Sequence, residues 1–154
     1  MNRRRWGFSL LEVVIVVAII AILAAIGIPR MSRGARGASD SALSGDLAVL
    51  RNAVDLYAAE HGGAFPTAAL INTQLTQYTD ASGAVVAVKD GTHIYGPYLR
   101  TVPPLPVGAK KGKSLIADLD GTDVGWLYTE LTGVIKANTT PDEKDEANKL
   151  YSAY

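Results

Sequence analysis

An apolar run near the start of the chain limits its folding more than any other stretch. From Phe8 to Ile28 the strongly polar side chains are Ser9 and Glu12 alone, and a basic leader, Met1-Asn2-Arg3-Arg4-Arg5-Trp6, stands before it. As a helix rising about 1.5 Å per residue, the run is roughly 31 Å long. That is about the hydrocarbon thickness of a bilayer. A carboxylate near one end of such a helix costs about 2.5–3.5 kcal/mol on insertion scales, so Glu12 needs a partner.

Gly7-Phe8-Ser9-Leu10-Leu11-Glu12, followed by Val13-Val14-Ile15-Val16-Val17-Ala18-Ile19-Ile20, resembles the N-terminal cleavage and methylation segment of type IV pilins and pseudopilins. The resemblance implies that a membrane peptidase cuts between Gly7 and Phe8 and that Phe8 is then N-methylated. It implies that Glu12 helps subunits pack into a filament. It also orients the chain, leader in the cytoplasm and head outside. Charge alone does not, because Arg3, Arg4 and Arg5 before the run are matched by Arg30, Arg33 and Arg36 after it. Two other readings fit the start of the chain. One is a secretory signal peptide with a small-x-small site at Ala25-Ile26-Gly27; the other is a plain single-pass anchor. Against the signal peptide, Glu12 lies inside the apolar region and Pro29 closely follows the site.

The 154 residues leave room, beyond the leader and the run, for one small domain with one core. The formal net charge is zero, and removing Arg3, Arg4 and Arg5 leaves the rest mildly acidic. That argues against nucleic acid as a partner, since phosphate binding wants clustered Lys and Arg. There is no cysteine, which excludes disulfides and thiolate metal sites.

Gly27 and Pro29 are expected to interrupt the helix at the membrane exit, as a helix end or as the bend that the resemblance implies. A second helical stretch runs from about Ser39 to His61. Leu43, Leu47, Leu50, Val54 and Tyr57 make one stripe of it, which Asp46, Arg51, Asp55 and Glu60 avoid. Gly62 and Gly63 stop it, with His61 expected as a favourable charge in its last turn. Phe65-Pro66-Thr67 resembles the aromatic-Pro-Thr step after the pseudopilin spine helix. Thr67 is expected to cap a short helix through Tyr78 with Leu70, Ile71, Leu75 and Tyr78 inward. Residues 84–88 are β-prone and end at Asp90-Gly91, a hairpin signal. Tyr95-Gly96-Pro97-Tyr98-Leu99, with the prolines of Val102-Pro103-Pro104-Leu105-Pro106 after it, resembles the major pseudopilins of type II secretion. Those proteins usually continue with an Asp-Pro-Trp-Gly-like step, and this chain has Leu105-Pro106-Val107-Gly108 instead. Three short strands are expected over 114–117, 125–129 and 134–137, the last two joined by a hairpin loop. The tail 141–154 reads as a terminal helix or as partly disordered.

Four constellations invite a chemical reading. Lys110-Lys111-Gly112-Lys113-Ser114 falls short of a phosphate loop: Gly108 leaves three intervening residues where four are needed, and no apolar helix follows. A solvated basic turn is the expectation. Asp118-Leu119-Asp120-Gly121-Thr122-Asp123 is either a solvated turn or a structural Ca²⁺ loop, calcium taking six to eight oxygens. The resemblance to major pseudopilins, which carry an acidic calcium loop before a Gly-Trp-like strand, implies a metal site at Asp118, Asp120 and Asp123. Asn138-Thr139-Thr140 fits a glycosylation sequon, a short pattern common by chance. For an enzyme, neither a Gly-x-Ser-x-Gly elbow nor a His-Glu-x-x-His motif occurs, and His61 and His93 stand far apart. Trp126 and Tyr128 are expected in the core.

The expected fold is α+β: a long N-terminal helix, its first half membrane-spanning, packed against a small antiparallel sheet in a globular head. The expected segments are a cytoplasmic leader (1–7), a transmembrane and filament-core helix (8–29), the second half of the spine helix (30–63) and the head (64–154). The resemblance implies a structural, non-enzymatic subunit. It would be matured by prepilin peptidase and polymerised into a periplasmic pseudopilus serving type II protein secretion. A type IV pilus pilin for adhesion, motility or DNA uptake is the alternative, and a membrane-anchored periplasmic binding or catalytic domain the second. Implied partners are copies of itself and other pilin-like subunits, the peptidase, the inner-membrane assembly platform and membrane lipid, with no nucleic acid. Beyond calcium no cofactor is implied. The implied location is the inner membrane, single-pass with the head in the periplasm, and then a periplasmic or extracellular filament.

Overall fold

A computed structural model describes residues 8–26 and 34–154. The leader, with Gly7 of the expected cleavage point, lies outside the described residues, as does the helix break expected at Gly27 and Pro29. Helix α1 is assigned over Leu10–Glu60. The chain divides into two compact units, Met1–Arg36 and Gly37–Tyr154, so the C-terminal part of α1 belongs to the second.

The five stripe residues are buried as their spacing predicts: Leu43, Leu47, Leu50, Val54 and Tyr57 are each 3% exposed or less. Each fully buried aliphatic side chain of this size contributes roughly 1.5–3 kcal/mol. Arg51, Asp55 and Glu60 are exposed. The helix ends where glycine allows it to. Gly62 and Gly63 have φ of 65° and 91°, and the Gly63 N–H reaches back to the Ala58 carbonyl at 2.8 Å, closing the last turn.

The short helix α2 covers Ile71–Thr76, less than the expected span through Tyr78. Ile71 and Leu75 are fully buried, but Leu70 is exposed, and Tyr78 has left the helix for strand β1, Tyr78–Thr79. Thr67 makes no cap. The position before the helix is Leu70, with no side-chain cap bond, and the Thr67 N–H instead donates to the buried Gln74 Oε1 at 2.9 Å. Strand β2, Val85–Val86, pairs antiparallel with β1. The hairpin therefore turns at 80–84, ahead of Asp90-Gly91, and Asp80 Oδ1 holds it by accepting from the N–H groups of Ser82 and Ala84. Asp90 caps a separate surface turn, accepting from the N–H groups of Thr92 and His93.

The main sheet has the order β3-β4-β5, with β3 at Leu115–Ala117, β4 at Val124–Thr129 and β5 at Val134–Ala137. All three fall within a residue of the sequence expectation. β4 and β5 form the antiparallel hairpin, Trp126 opposite Ala137 and Tyr128 opposite Ile135. β3 runs parallel to β4 with a register shift between Leu115 and Ile116, so this sheet is mixed while β1-β2 is antiparallel. The fold is α+β. Alternation puts Trp126 and Tyr128 into the core beside Leu47, Leu50, Ile116 and Ile135. Their polar tips are satisfied there: Trp126 Nε1–H donates to the Pro103 carbonyl at 2.8 Å and the Tyr128 hydroxyl to the Pro66 carbonyl at 2.9 Å. Buried aromatics with a polar handle usually find such partners.

The tail is ordered against this unit. A 3₁₀ turn at Tyr151–Ala153 ends it. The Tyr151 hydroxyl donates to Asp40 at 2.8 Å, and Arg51 Nη2 donates to the Tyr154 carbonyl at 2.5 Å.

Candidate functional site

The first unit carries the chemistry that the sequence singles out. Helix α1 opens at Leu10, with the Val13 N–H bonded to the Ser9 carbonyl at 3.2 Å and Glu12 in the first turn. A carboxylate there faces the positive end of the helix dipole. Among the described residues Glu12 has no ion-pair partner. Around it the helix is apolar on every side. Phe8, Leu10, Leu11 and the Val, Ile and Leu residues from Val13 to Ile26 are between 49% and 83% exposed. A helix apolar all round is covered by lipid or by other helices. Among the described residues, no helix is long and apolar enough to cross a membrane; the expected span, 8–29, runs on into residues outside the description.

In the head, the acidic loop is engaged by the basic one. Lys110 Nζ lies 2.9 Å from Asp120 Oδ1, and Lys113 Nζ lies 2.6 Å from Asp123 Oδ1. The Asn138 amide also donates to Asp120 at 2.7 Å. That bond, and then Lys110, hold the Asp120 carboxyl below its ordinary pKa; Lys113 does the same for Asp123. Asp118 stands apart, lining a groove with Phe65, Tyr128 and Glu130. The three aspartates of the expected calcium site are thus not brought together. Among the described residues no group of three or more His, Cys, Asp or Glu could hold a metal. Instead, Asp120 and Asp123 are each engaged by a lysine ammonium group.

The other constellations resolve similarly. Ser114 leads into strand β3, not into a helix that could aim its dipole at phosphate. Asn138 is 5% exposed and its amide also donates to the Val124 carbonyl at 2.7 Å, so the sequon is a buried strut. His61 is buried rather than on the surface. It stacks on Tyr57 at 3.8 Å between ring centres. Its Nδ1 faces the Tyr57 carbonyl at 2.8 Å, and Nε2 faces Thr79 Oγ1 at 3.1 Å and the Asp80 carbonyl at 3.0 Å. His93 is occupied by Asp90, 2.8 Å away. An open cleft of about 770 Å³ is lined by Asn72, Arg100, Lys113, Ser114 and Asp123 among others, and neither histidine is in its wall. Sequence reasoning missed Asn72 and Gln74, whose amides tie α2 to strand β3 and to the loops at Thr67 and Gly83, and it read Asn138 only as part of a sequon. Single polar residues in short elements carry no periodic signal.

Residues 2–28 match the family described as the prokaryotic N-terminal methylation motif. No curated protein and no solved structure matches the chain. The matched stretch contains Gly7, Phe8 and Glu12 and ends with the apolar run, so the chain carries a type IV pilin-like prepilin segment.

Proposed function

We propose that the chain is a pilin-like subunit, cut between Gly7 and Phe8, N-methylated at Phe8, held in the inner membrane and then polymerised. The observation that carries this reading is the first unit itself: a methylation-motif segment whose described large apolar side chains are about half or more exposed around a carboxylate with no ion-pair partner among the described residues. Such a surface needs lipid before assembly and neighbouring helices after it. Lipid is as apolar as the helix, so the gain on assembly comes from close packing and from polar pairing. Cleavage frees the amine of Phe8 and removes three arginines. Glu12 then pairs with that amine on a neighbouring subunit, offsetting the cost of holding both charges in an apolar core.

Within this reading the assembly is a periplasmic pseudopilus that serves type II secretion. The Tyr95 to Leu99 step supports that choice over a surface pilus. The chain itself catalyses nothing; the chemistry belongs to the peptidase and to the motor of the assembly platform. Mass spectrometry of the protein extracted from membranes tests the reading. The expected N-terminus is N-methylated Phe8, and a working protein that still begins at Met1 sinks it.

A further inference from the structure

The loops 108–113 and 118–123 meet with opposite charge, and the geometry of the meeting is specific. Besides its carboxylate partner, Lys110 Nζ donates to the Gly121 carbonyl at 2.7 Å. The turn that bears both lysines is braced by its own backbone: Lys113 N–H to the Lys110 carbonyl at 3.0 Å, Gly112 N–H to the Leu105 carbonyl at 2.8 Å, and Leu105 N–H to the Lys113 carbonyl at 2.8 Å. The ammonium groups are therefore presented from a fixed frame, which reduces the ordering cost that makes most surface pairs weak. The same oxygen, Asp120 Oδ1, also accepts from the side-chain amide of buried Asn138 at 2.7 Å. A carboxylate of Asp120, a carbonyl of Gly121 and a carboxylate of Asp123 are oxygens of the kind a hard cation collects. Here two ammonium groups, each with three donors, collect them.

We propose that Lys110 and Lys113 are the head's built-in cations: they fasten the 118–123 loop, and the head folds and keeps that loop closed with no calcium requirement. This inference concerns the head alone and stands whether or not the filament reading does.

The test uses the full-length chain in detergent. Its Tm is expected to be the same in millimolar calcium and in EGTA. The K110M/K113M variant is expected to melt about 4 °C lower, and to be nicked faster within 118–123 by limited proteolysis. Added NaCl should narrow the gap between the two proteins, since exposed pairs are screened. A calcium-induced rise in the wild-type Tm, saturable calcium binding by the wild type, or equal protection of the loop in the variant overturns the proposal. Should the variant fail to fold, the calcium response of the wild type decides alone.

Discussion

The side-chain amide of Asn72 pairs with both backbone groups of Ile116, Nδ2 donating to the carbonyl at 2.8 Å and Oδ1 accepting from the N–H at 3.0 Å. Ile116 lies on β3, the edge of the mixed sheet. One side chain from α2 thus stands in for a missing strand, and this edge is covered where it would otherwise offer unpaired groups. Asn72→Ala should cost about 1–3 kcal/mol, the penalty for leaving a partly buried donor and acceptor without partners. Denaturant unfolding measures this directly. A loss below a few tenths of a kcal/mol would mean that water replaces the amide freely.

The register shift between β3 and β4 makes a second prediction. Leu115 pairs with Val124 and Ile116 with Trp126, which leaves Gly125 unopposed. Gly125 is buried, and a Cβ there would overlap the Lys113 carbonyl. Gly125→Ala must therefore push β3 from β4 or shift the lysine-bearing turn. The expected destabilisation is ~3 kcal/mol, in the range of overpacked or strained core sites. A variant with wild-type stability would show that the two strands can part at no cost.

The tail should come loose at both ends of the pH scale. The Tyr154 hydroxyl donates to Asp145. That bond holds the Asp145 carboxyl below its ordinary pKa and, with burial, pushes Tyr154 up to about 12. Asp145 is depressed in the folded state, so its contribution is present above the unfolded value, about 3.9, and fades as pH falls through the lower folded one. Tyr154 is raised, so its contribution is complete below about 10 and is lost as pH rises through about 12. Hydrogen exchange of residues 141–154 should show protection between those limits and loss outside them. Tyr154→Phe should flatten the profile at both ends; an unchanged profile would place the tail's hold elsewhere, on Tyr151 and Arg51.

These three cases show where the sequence speaks and where it is silent. The stripe from Leu43 to Tyr57 was legible because burial on one face of a helix repeats every three to four residues. β4 and β5 were legible because Trp126 and Tyr128 alternate and Gly133, with φ of 66°, permits the turn. The parallel pairing of β3 with β4 was not legible, since strand order is a non-local choice. Nor was the end of α2 at Thr76, where the demand of β1 for Tyr78 overrides the local helical pattern. The acidic loop left two readings open, a solvated turn and a calcium loop, and the structure places two lysine cations against it. They are Lys110 and Lys113, which lie near it in sequence but show no spacing that announces the pairing.

The last prediction concerns Glu12. Its carboxylate has no ion-pair partner among the described residues, yet it sits in the first turn of a helix whose every neighbouring large side chain is apolar. In lipid the charge can stay near the head groups. In a filament core it cannot, and truncating one partner of a buried pair typically costs 3–5 kcal/mol because the other charge is left uncompensated. On the proposed pairing, Glu12→Ala removes the acceptor for the Phe8 amine of the neighbour but leaves the proposed cleavage point, Gly7–Phe8, as it was. The variant is therefore expected to be cut and methylated normally, by mass spectrometry of the membrane fraction, and to yield no filaments by electron microscopy. A bulky residue at Gly7 should do the reverse and block maturation at the first step. Normal filaments from Glu12→Ala would show that apolar packing alone holds the subunits, and the pairing of carboxylate with amine would have to be given up.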